Sequence, residues 1–501
     1  MSGPPIKENR EGIAGFFDSR KFEWGLVCVL FVAALSLNIW NNHFQFGYHV
    51  DEPKKVRFIQ QDKQDFHHPL LMLQVVRVAN HFLGWKDNQD LVELGWTSSA
   101  VFGALIVVLS YCIFRKGIGK WYAAIGALAV ATCPILVVHA HYFKEDIIYT
   151  CFVLWALLAF IRFFYVPGVL NTVFLGTATG LAVSSQYKGF LLVLFYLFIP
   201  LVVRPQAVRR YYGWLLGMIP VMLGIFLVVN YPLFSNFEIF KSAVIFDKSH
   251  VLNGHDVKVY GPQMLFLFHL LYSIGPWMGW GLTVLSLFAI GVTVRQWKTV
   301  SVQDKILVVY ALLFYFVFEW TPLKSFPDYT RYVTSIIPVL IYFSVRGMLL
   351  LINAARSRRL IFAVSVLVVF VLIMPVYASI QLVYHLDKDT REQAKTWMVQ
   401  SPHKVMCEQY IFTYHIVQSL SDKDVTQWQN AGFEFLVASS FLYDRYFFGS
   451  QLKGQDTKIY QAQERYKALF DYPYTEIRPA YRSYAFSNPT VRIIDIRSVK
   501  K

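Results

Sequence analysis

The chain has 501 residues, of which 55% are hydrophobic, 17% aromatic and only 16% charged. Soluble domains average about a quarter charged residues and under half apolar ones, so a single water-soluble core is excluded. The net charge of +15 is spread over short loops between apolar runs, which makes the lipid bilayer the partner and excludes nucleic acid.

A polar leader with Lys7, Arg10, Arg20 and Lys21 precedes an uncharged run from Trp24 to Trp40. That run is long enough for a bilayer core of ~30 Å and lacks a small-residue cleavage site, so it reads as a signal anchor. Further spans are predicted at 93–114, 121–138, 146–165, 169–186, 189–203, 211–230, 275–294, 305–320, 332–351 and 360–380, making about eleven transmembrane helices. Basic clusters mark every second loop: Arg115, Lys116 and Lys120; Arg204, Arg209 and Arg210; Arg295, Lys298 and Lys305; Arg346, Arg356, Arg358 and Arg359. Positive loops stay in the cytoplasm. The N-terminus is therefore cytoplasmic, and the loops at 41–92, 139–145, around Lys188, 231–274 and 321–331 face outward. Leu70 to Leu83 is too short to span and mixes apolar with polar positions, as an interfacial helix does. From His385 the composition changes to mixed charge and short apolar runs. Residues 1–384 are thus expected to form a polytopic α-helical membrane domain, and 385–501 a small extracytoplasmic α/β domain. In that tail Asp389–Met398 reads as a helix and Lys404–Ile411 as a strand. Four of the five cysteines lie in apolar runs and imply no disulfide framework.

Two acidic dipeptides fall on the outward side, Asp51-Glu52 after the first span and Glu145-Asp146 at the start of the fourth. Either could simply cap a helix or favour its N-terminal dipole. Together on one face they form a candidate site for general-base work. With His67, His139 and His141 nearby, Asp51 and Asp146 could also hold a divalent metal ion; no organic cofactor is implied.

The order of these motifs resembles the GT-C superfamily of membrane glycosyltransferases, in particular the protein O-mannosyltransferase and lipid A aminoarabinose transferase group. His49-Val50-Asp51-Glu52-Pro53-Lys54 resembles the acidic pair after that group's first span, with Lys54 where the aminoarabinose transferase has arginine. Phe66-His67-His68-Pro69-Leu70 is similar to the motif before its interfacial helix, and puts His68 at a lysine position that contacts donor phosphate. Lys144-Glu145-Asp146-Ile147 resembles the second acidic motif, Tyr187-Lys188-Gly189-Phe190 a Thr-Lys-Gly motif, and Lys324 to Tyr332 the segment that leads into the tenth span. Asp389 to Trp397 looks like the post-membrane helix of bacterial members.

The resemblance implies transfer of a sugar from a polyprenyl-phosphate donor to an acceptor hydroxyl at the outer membrane face, with inversion, in a bacterial or archaeal cell membrane. Asp51, Asp146, Glu52 and Glu145 are then the catalytic candidates. Lys54, His68, Lys188, Lys324 and Arg331 are the donor-phosphate candidates, and the acceptor, whether protein, lipid or glycan, stays open. A transporter or flippase for lipid-linked sugars would instead carry charges at mid-membrane depth. A catalytically silent scaffold would need neither acidic motif.

Overall fold

The computed structural model describes residues 20–64, 66–203, 208–253, 266–321, 328–411, 416–449, 457–483 and 487–497. Their helices run in the order α1 (Arg20–Ile39), α2 (Glu52–Gln60), α3 (Leu71–Leu83), α4 (Asn88–Ile118), α5 (Lys120–Ala131), α6 (Pro134–Ala140), α7 (Glu145–Tyr165), α8 (Val169–Ser185), α9 (Leu191–Val202), α10 (Val208–Val229) and α11 (Phe237–Asn253). There follow α12 (Gly275–Met278), α13 (Trp280–Arg295), α14 (Val302–Trp320), α15 (Ile337–Ala354) and α16 (Arg358–Tyr384). Side chains set several of the starts. Asp87 accepts from the Gln89 amide, Ser301 from that of Asp304 and Ser357 from that of Leu360, each satisfying a donor the helix leaves open.

Every predicted span coincides with helix, but not every helix is a full crossing. Among the described residues six are long and apolar enough to cross a membrane, or up to eight if each of two bent pairs is one span. Three shorter apolar helices, Leu71–Leu83, Val169–Ser185 and Tyr187–Val202, come in addition, so length and composition leave the expected eleven crossings open. Helix α8, with 17 residues, is about 25 Å long at 1.5 Å per residue, short of the ~30 Å core. Helix α14 carries Asp304, Lys305 and Glu319 within its apolar run. The bends have local causes. Pro134 separates α5 from α6 at 56°, and Gly279, at φ 96°, turns α13 by 111° from the helical segment before it, a backbone region that glycine enters without steric cost.

Helix α7 lies at the centre, against α4 and α8. Glycines bring α8 and α10 together. A Cβ at Gly176 would lie 3.0 Å from the Met218 carbonyl oxygen, and one at Gly180 would lie 2.8 Å from that of Met222. This is the small-xxx-small spacing that lets helices approach closely in lipid. Helix α3 matches the expected interfacial segment, with Met72 and Val76 buried and Val78 and Phe82 exposed.

The tail holds a five-stranded sheet in the order β2-β1-β3-β5-β4, built from β1 (Val405–Glu408), β2 (Ile416–Val417), β3 (Phe435–Ser439), β4 (Tyr474–Ile477) and β5 (Val491–Asp495). β1 pairs in parallel with β2 and β3, while β5 is antiparallel to both β3 and β4. Alternate residues supply two cores. Leu436, Ala438 and Ile494 pack with Trp428, Tyr466 and Leu469; Val437, Val491 and Ile493 pack with Ala394 of α17 (Thr390–Gln400). The helix and strand expected at Asp389–Met398 and Lys404–Ile411 are both present, the strand shorter than expected.

A buried ion pair ties tail to bundle. Arg391 Nη2 and Nε donate to the two Asp389 oxygens, both at 2.9 Å, and Arg391 Nη1 donates to the Tyr48 carbonyl at 3.0 Å. Its guanidinium lies 4.6 Å from the Phe44 ring centre. The Asn488 amide donates to Asp389 at 2.8 Å, and the Tyr142 and Ser487 hydroxyls meet at 3.1 Å.

Candidate active site

Asp51 occupies the N-cap position of α2, yet its side chain makes no capping hydrogen bond. Its Oδ2 instead receives Lys144 Nζ at 2.5 Å, with His49 Nδ1 at 3.7 Å, and 47% of the side chain stays exposed. Desolvation opposes the charge, but the ammonium of Lys144, His49 and then Lys55 outweigh it and hold the carboxyl well below its usual range.

Glu52, its neighbour, points the other way. It is fully buried; Oε1 accepts from Trp96 Nε1 at 3.0 Å and from the Phe143 amide at 2.9 Å, and Oε2 from the His49 amide at 3.1 Å. Burial pushes its pKa up to about 7 despite these donors. The carboxyl knits α2 to α4 and to the turn before α7, and lines neither of the cavities described below.

The second dipeptide opens α7. Glu145 forms an ion pair with Lys55, and His68 Nε2 lies 4.0 Å from its other oxygen. Asp146 accepts from Gln186 Nε2 at 2.7 Å. Lys144, nearly inaccessible, sits between the dipeptides. Desolvation disfavours its charge, but Asp51 and Glu145 more than offset that and hold its pKa above the usual lysine value. Desolvation, opposed by Glu145 and reinforced by the cations Lys144, Lys55 and Arg331, lowers His68 to about 4. A neutral imidazole thus stands at the position where the resembled family carries a lysine charge.

Two cavities meet over these residues. The larger, about 690 Å³, has Asp146, Gln186, Lys188 and Arg331 at its polar end and an apolar wall that includes Leu191, Leu194, Ile219, Met222 and Phe318. Phe190 and Leu194 are themselves exposed on the bundle surface, so this wall reaches the lipid-facing side. The smaller, about 280 Å³, contains Asp51, Lys54, Lys55 and His67. His68, Lys144, Glu145, Arg331 and Asp247 line both.

The 3-10 turn Tyr187–Phe190 presents Lys188 to the larger cavity, its Nζ 4.6 Å from the Tyr149 ring centre, 5.7 Å from that of Phe318 and 5.9 Å from that of Tyr332. Arg331 lies on the 3-10 segment Asp328–Ile336 and donates to the Tyr332 hydroxyl at 3.1 Å. Lys54 is exposed at the edge of the smaller cavity, 5.4 Å from the Phe58 ring centre. Lys324 lies outside the described residues.

The metal set suggested by the sequence does not assemble. Both His141 nitrogens face backbone carbonyls, of Val137 at 2.7 Å and Trp40 at 3.3 Å; His139 Nε2 meets the Thr330 hydroxyl at 3.1 Å; and the His67 ring packs edge-on against Phe246. Among the described residues no three His, Cys, Asp or Glu side chains are placed to hold a metal ion.

Sequence reasoning missed Lys144, Lys55, Gln186 and Asp247. Each lysine adjoins or nearly adjoins an acidic dipeptide it had singled out, and that alternation of signs was the available signal. Asp247, on α11, carried none.

Residues 94–231 match the family described as dolichyl-phosphate-mannose-protein mannosyltransferase. No sequence among the curated proteins matches the chain. Among solved structures, the archaeal oligosaccharyltransferase AglB from Archaeoglobus fulgidus, in complex with an inhibitory peptide and a dolichol-phosphate, is similar at TM-score 0.59 and 12% identity, over 93% of this chain and 74% of its own. An Archaeoglobus fulgidus oligosaccharyltransferase in complex with Zn and sulfate gives 0.57 at 13% identity, over 93% and 72%. ArnT from Cupriavidus metallidurans, bound to undecaprenyl phosphate, gives 0.57 at 14% identity, over 95% and 98%.

Proposed function

We propose that this chain, which has the fold of the GT-C membrane glycosyltransferases, transfers a sugar from a polyprenyl-phosphate donor to an acceptor hydroxyl. The observation that carries the reading is the pair of cavities. One joins an apolar wall at the lipid-facing surface to a cationic, hydrogen-bonding head, as a prenyl chain ending in a phosphate requires. The other opens from that head and contains an ionised carboxylate.

In this reading the donor phosphate lies at Lys188 and Arg331, with Gln186 and Asp146 toward the sugar. An acceptor enters from the smaller cavity past Lys54 and His67. Asp51 takes the proton of the acceptor hydroxyl. The freed oxygen pair forms the new bond to the anomeric carbon as the carbon–phosphate-oxygen bond breaks, and the electrons leave on the phosphate, where the two cations stabilise the charge. Direct attack inverts the anomeric centre. Lys144 keeps Asp51 ionised and aimed, the Lys55–Glu145 pair supports the junction, and neutral His68 offers the phosphate a hydrogen bond. Glu52 is reassigned from the catalytic set to the scaffold, since its oxygens are spent on three buried N–H donors. No step is routed through a metal ion; the free oxygens of Asp51 and Asp146 are the ones that would hold one, and among the described residues no third His, Cys, Asp or Glu side chain is placed with them. The basic-loop pattern supports an extracytoplasmic position for the cleft and the tail.

Purified protein, a polyprenyl-phosphate sugar and candidate protein, lipid and glycan acceptors test the proposal. The expected result is an acceptor heavier by one sugar residue and a matching loss of donor. Donor that crosses a vesicle bilayer unconsumed would establish the transporter instead.

A further inference from the structure

A second apolar cavity, about 300 Å³, lies between α4, α7 and α8, away from the acidic cleft. Its α4 wall is Phe102, Leu105, Val108 and Leu109, and its α7 wall includes Cys151, Phe152, Trp155 and Leu158. Rings line it in series: Phe102 against Phe152 at 5.7 Å, Phe152 against Trp155 at 5.9 Å, and Trp155 against Phe174 of α8 at 6.1 Å.

Both helices end this wall in a cation. On α4 the positions Phe102, Leu105, Leu109, Cys112 and Lys116 follow the three-four spacing of one helix face. On α7 the stripe Cys151, Trp155, Leu158 leads to Arg162, which itself lines the cavity. The Arg162 and Lys116 charges act on one another and both act on Cys112, so they stand at the same end. Both side chains are exposed. Two described carboxylates of this end are already engaged, Glu23 with Arg115 at 2.6 Å and Asp304 with Arg346 at 2.9 Å, and neither Lys116 nor Arg162 has an ion-pair partner among the described residues. From Phe102 to Lys116 the stripe runs about 21 Å at 1.5 Å per residue, enough to accompany an acyl chain through one leaflet of ~15 Å, half the bilayer core.

We propose that this groove binds one anionic phospholipid, its phosphate between Lys116 and Arg162 and an acyl chain along the aromatic wall. Charge complementarity selects the occupant. A cation pair without a carboxylate repels itself until an anion is seated between its members, and the apolar wall asks that this anion carry a hydrocarbon chain. The site lies at the bundle end opposite Asp51, so it is independent of sugar transfer.

Delipidated protein in detergent, titrated with phosphatidylglycerol and with phosphatidylcholine and read by native mass spectrometry, tests it. Wild type should retain phosphatidylglycerol at a concentration about tenfold lower than phosphatidylcholine. The double variant Lys116→Gln/Arg162→Gln should lose that preference and keep the wild-type unfolding midpoint in lipid-free detergent. A photoreactive phosphatidylglycerol should label wild-type peptides that contain Phe102 or Trp155, a readout that stands even where the double variant fails to fold. Equal retention of the two lipids, labelling confined to other helices, or an undiminished preference in the folded double variant would overturn the proposal. Loss of the label at Phe102 or Trp155 to competing undecaprenyl phosphate at a lower concentration than to unlabelled phosphatidylglycerol would do the same.

Discussion

The two acidic dipeptides face each other across one cleft and treat their carboxylates differently. At Asp51-Glu52 the roles divide completely. Glu52 is enclosed by neutral N–H donors and Asp51 is held by an ammonium at the mouth of a cavity. At Glu145-Asp146 both carboxylates stay at the cleft, one against Lys55 and one against Gln186. Burial alone does not separate scaffold from chemistry here, since Glu145 and Asp146 are buried as well. What separates them is the partner. A carboxylate enclosed by neutral N–H donors away from the cavities is raised by burial despite those donors and knits backbone together, whereas one at the cleft beside a cation stays charged and keeps an edge toward the cavity.

The largest effect should come from breaking the cleft side of that comparison. Asp51→Asn and Asp146→Asn are each expected to lower turnover about 10²–10⁴-fold, the usual cost of losing a general base or its partner, with unchanged unfolding midpoints in detergent. Asparagine keeps the shape, and Asp51 makes no capping bond to lose. Near-normal product formation by both variants would return the two residues to the scaffold.

A smaller loss is expected at the donor head. Lys188→Ala removes a cation held over three aromatic rings at the polar end of the larger cavity. A hydrogen bond to a charged group contributes about 1.5–3 kcal/mol, so kcat/KM for the donor should fall roughly 10–100-fold while expression and folding hold. Donor titration that superimposes on wild type would mean that Lys188 only snorkels to the interface.

The pH profile offers the finest distinction within the first dipeptide. With Asp51 as the base, the acid limb of kcat/KM lies well below neutrality; with Glu52 it would lie near 7. Lys144→Met removes the chief stabiliser of the Asp51 charge. That raises the Asp51 pKa, so the base is protonated at higher pH and the limb moves upward. Glu52→Gln puts an amide N–H₂ among buried donors and should cost about 1–3 kcal/mol of stability, leaving the limb where it was. A limb that shifts in Glu52→Gln and stays put in Lys144→Met would reverse the two assignments.

The membrane helices were legible because long uncharged runs have few other places to go, and the tail announced itself by its change of composition. Where a span bends or falls short was not legible. Mean apolarity along 121–138 says nothing about the bend at Pro134, and the run that became α8 does not declare its length in ångströms. At the site, chain-adjacent features survived translation into space. Lys144 beside Glu145 and Lys55 near Asp51 were visible in the sequence as neighbours, yet their pairing across to the other dipeptide depends on the tertiary arrangement of α2 and α7. Asp247 reaches the junction from a helix about a hundred residues beyond Glu145, with no local pattern to mark it. His139 and His141 mislead for the converse reason: they are near the acidic motif in sequence, and the end of α6 turns them toward Thr330 and toward backbone carbonyls.

The Arg391 fork that joins α17 to the Tyr48 carbonyl has a consequence for recombination between relatives. Three positions beyond Tyr48 lies Asp51, so the tail grips the strip of chain that carries the proposed base. A tail from another protein, grafted after Tyr384, would bring a foreign fork to this carbonyl and a foreign face to Phe44. Exchange that respects the joint has to move two separated pieces together, the strip around Phe44–Asp51 and the tail from Asp389 onward. An engineered exchange that moves only one of the two pieces should therefore lose this joint, although bundle and tail lie side by side in the sequence as if they could be parted.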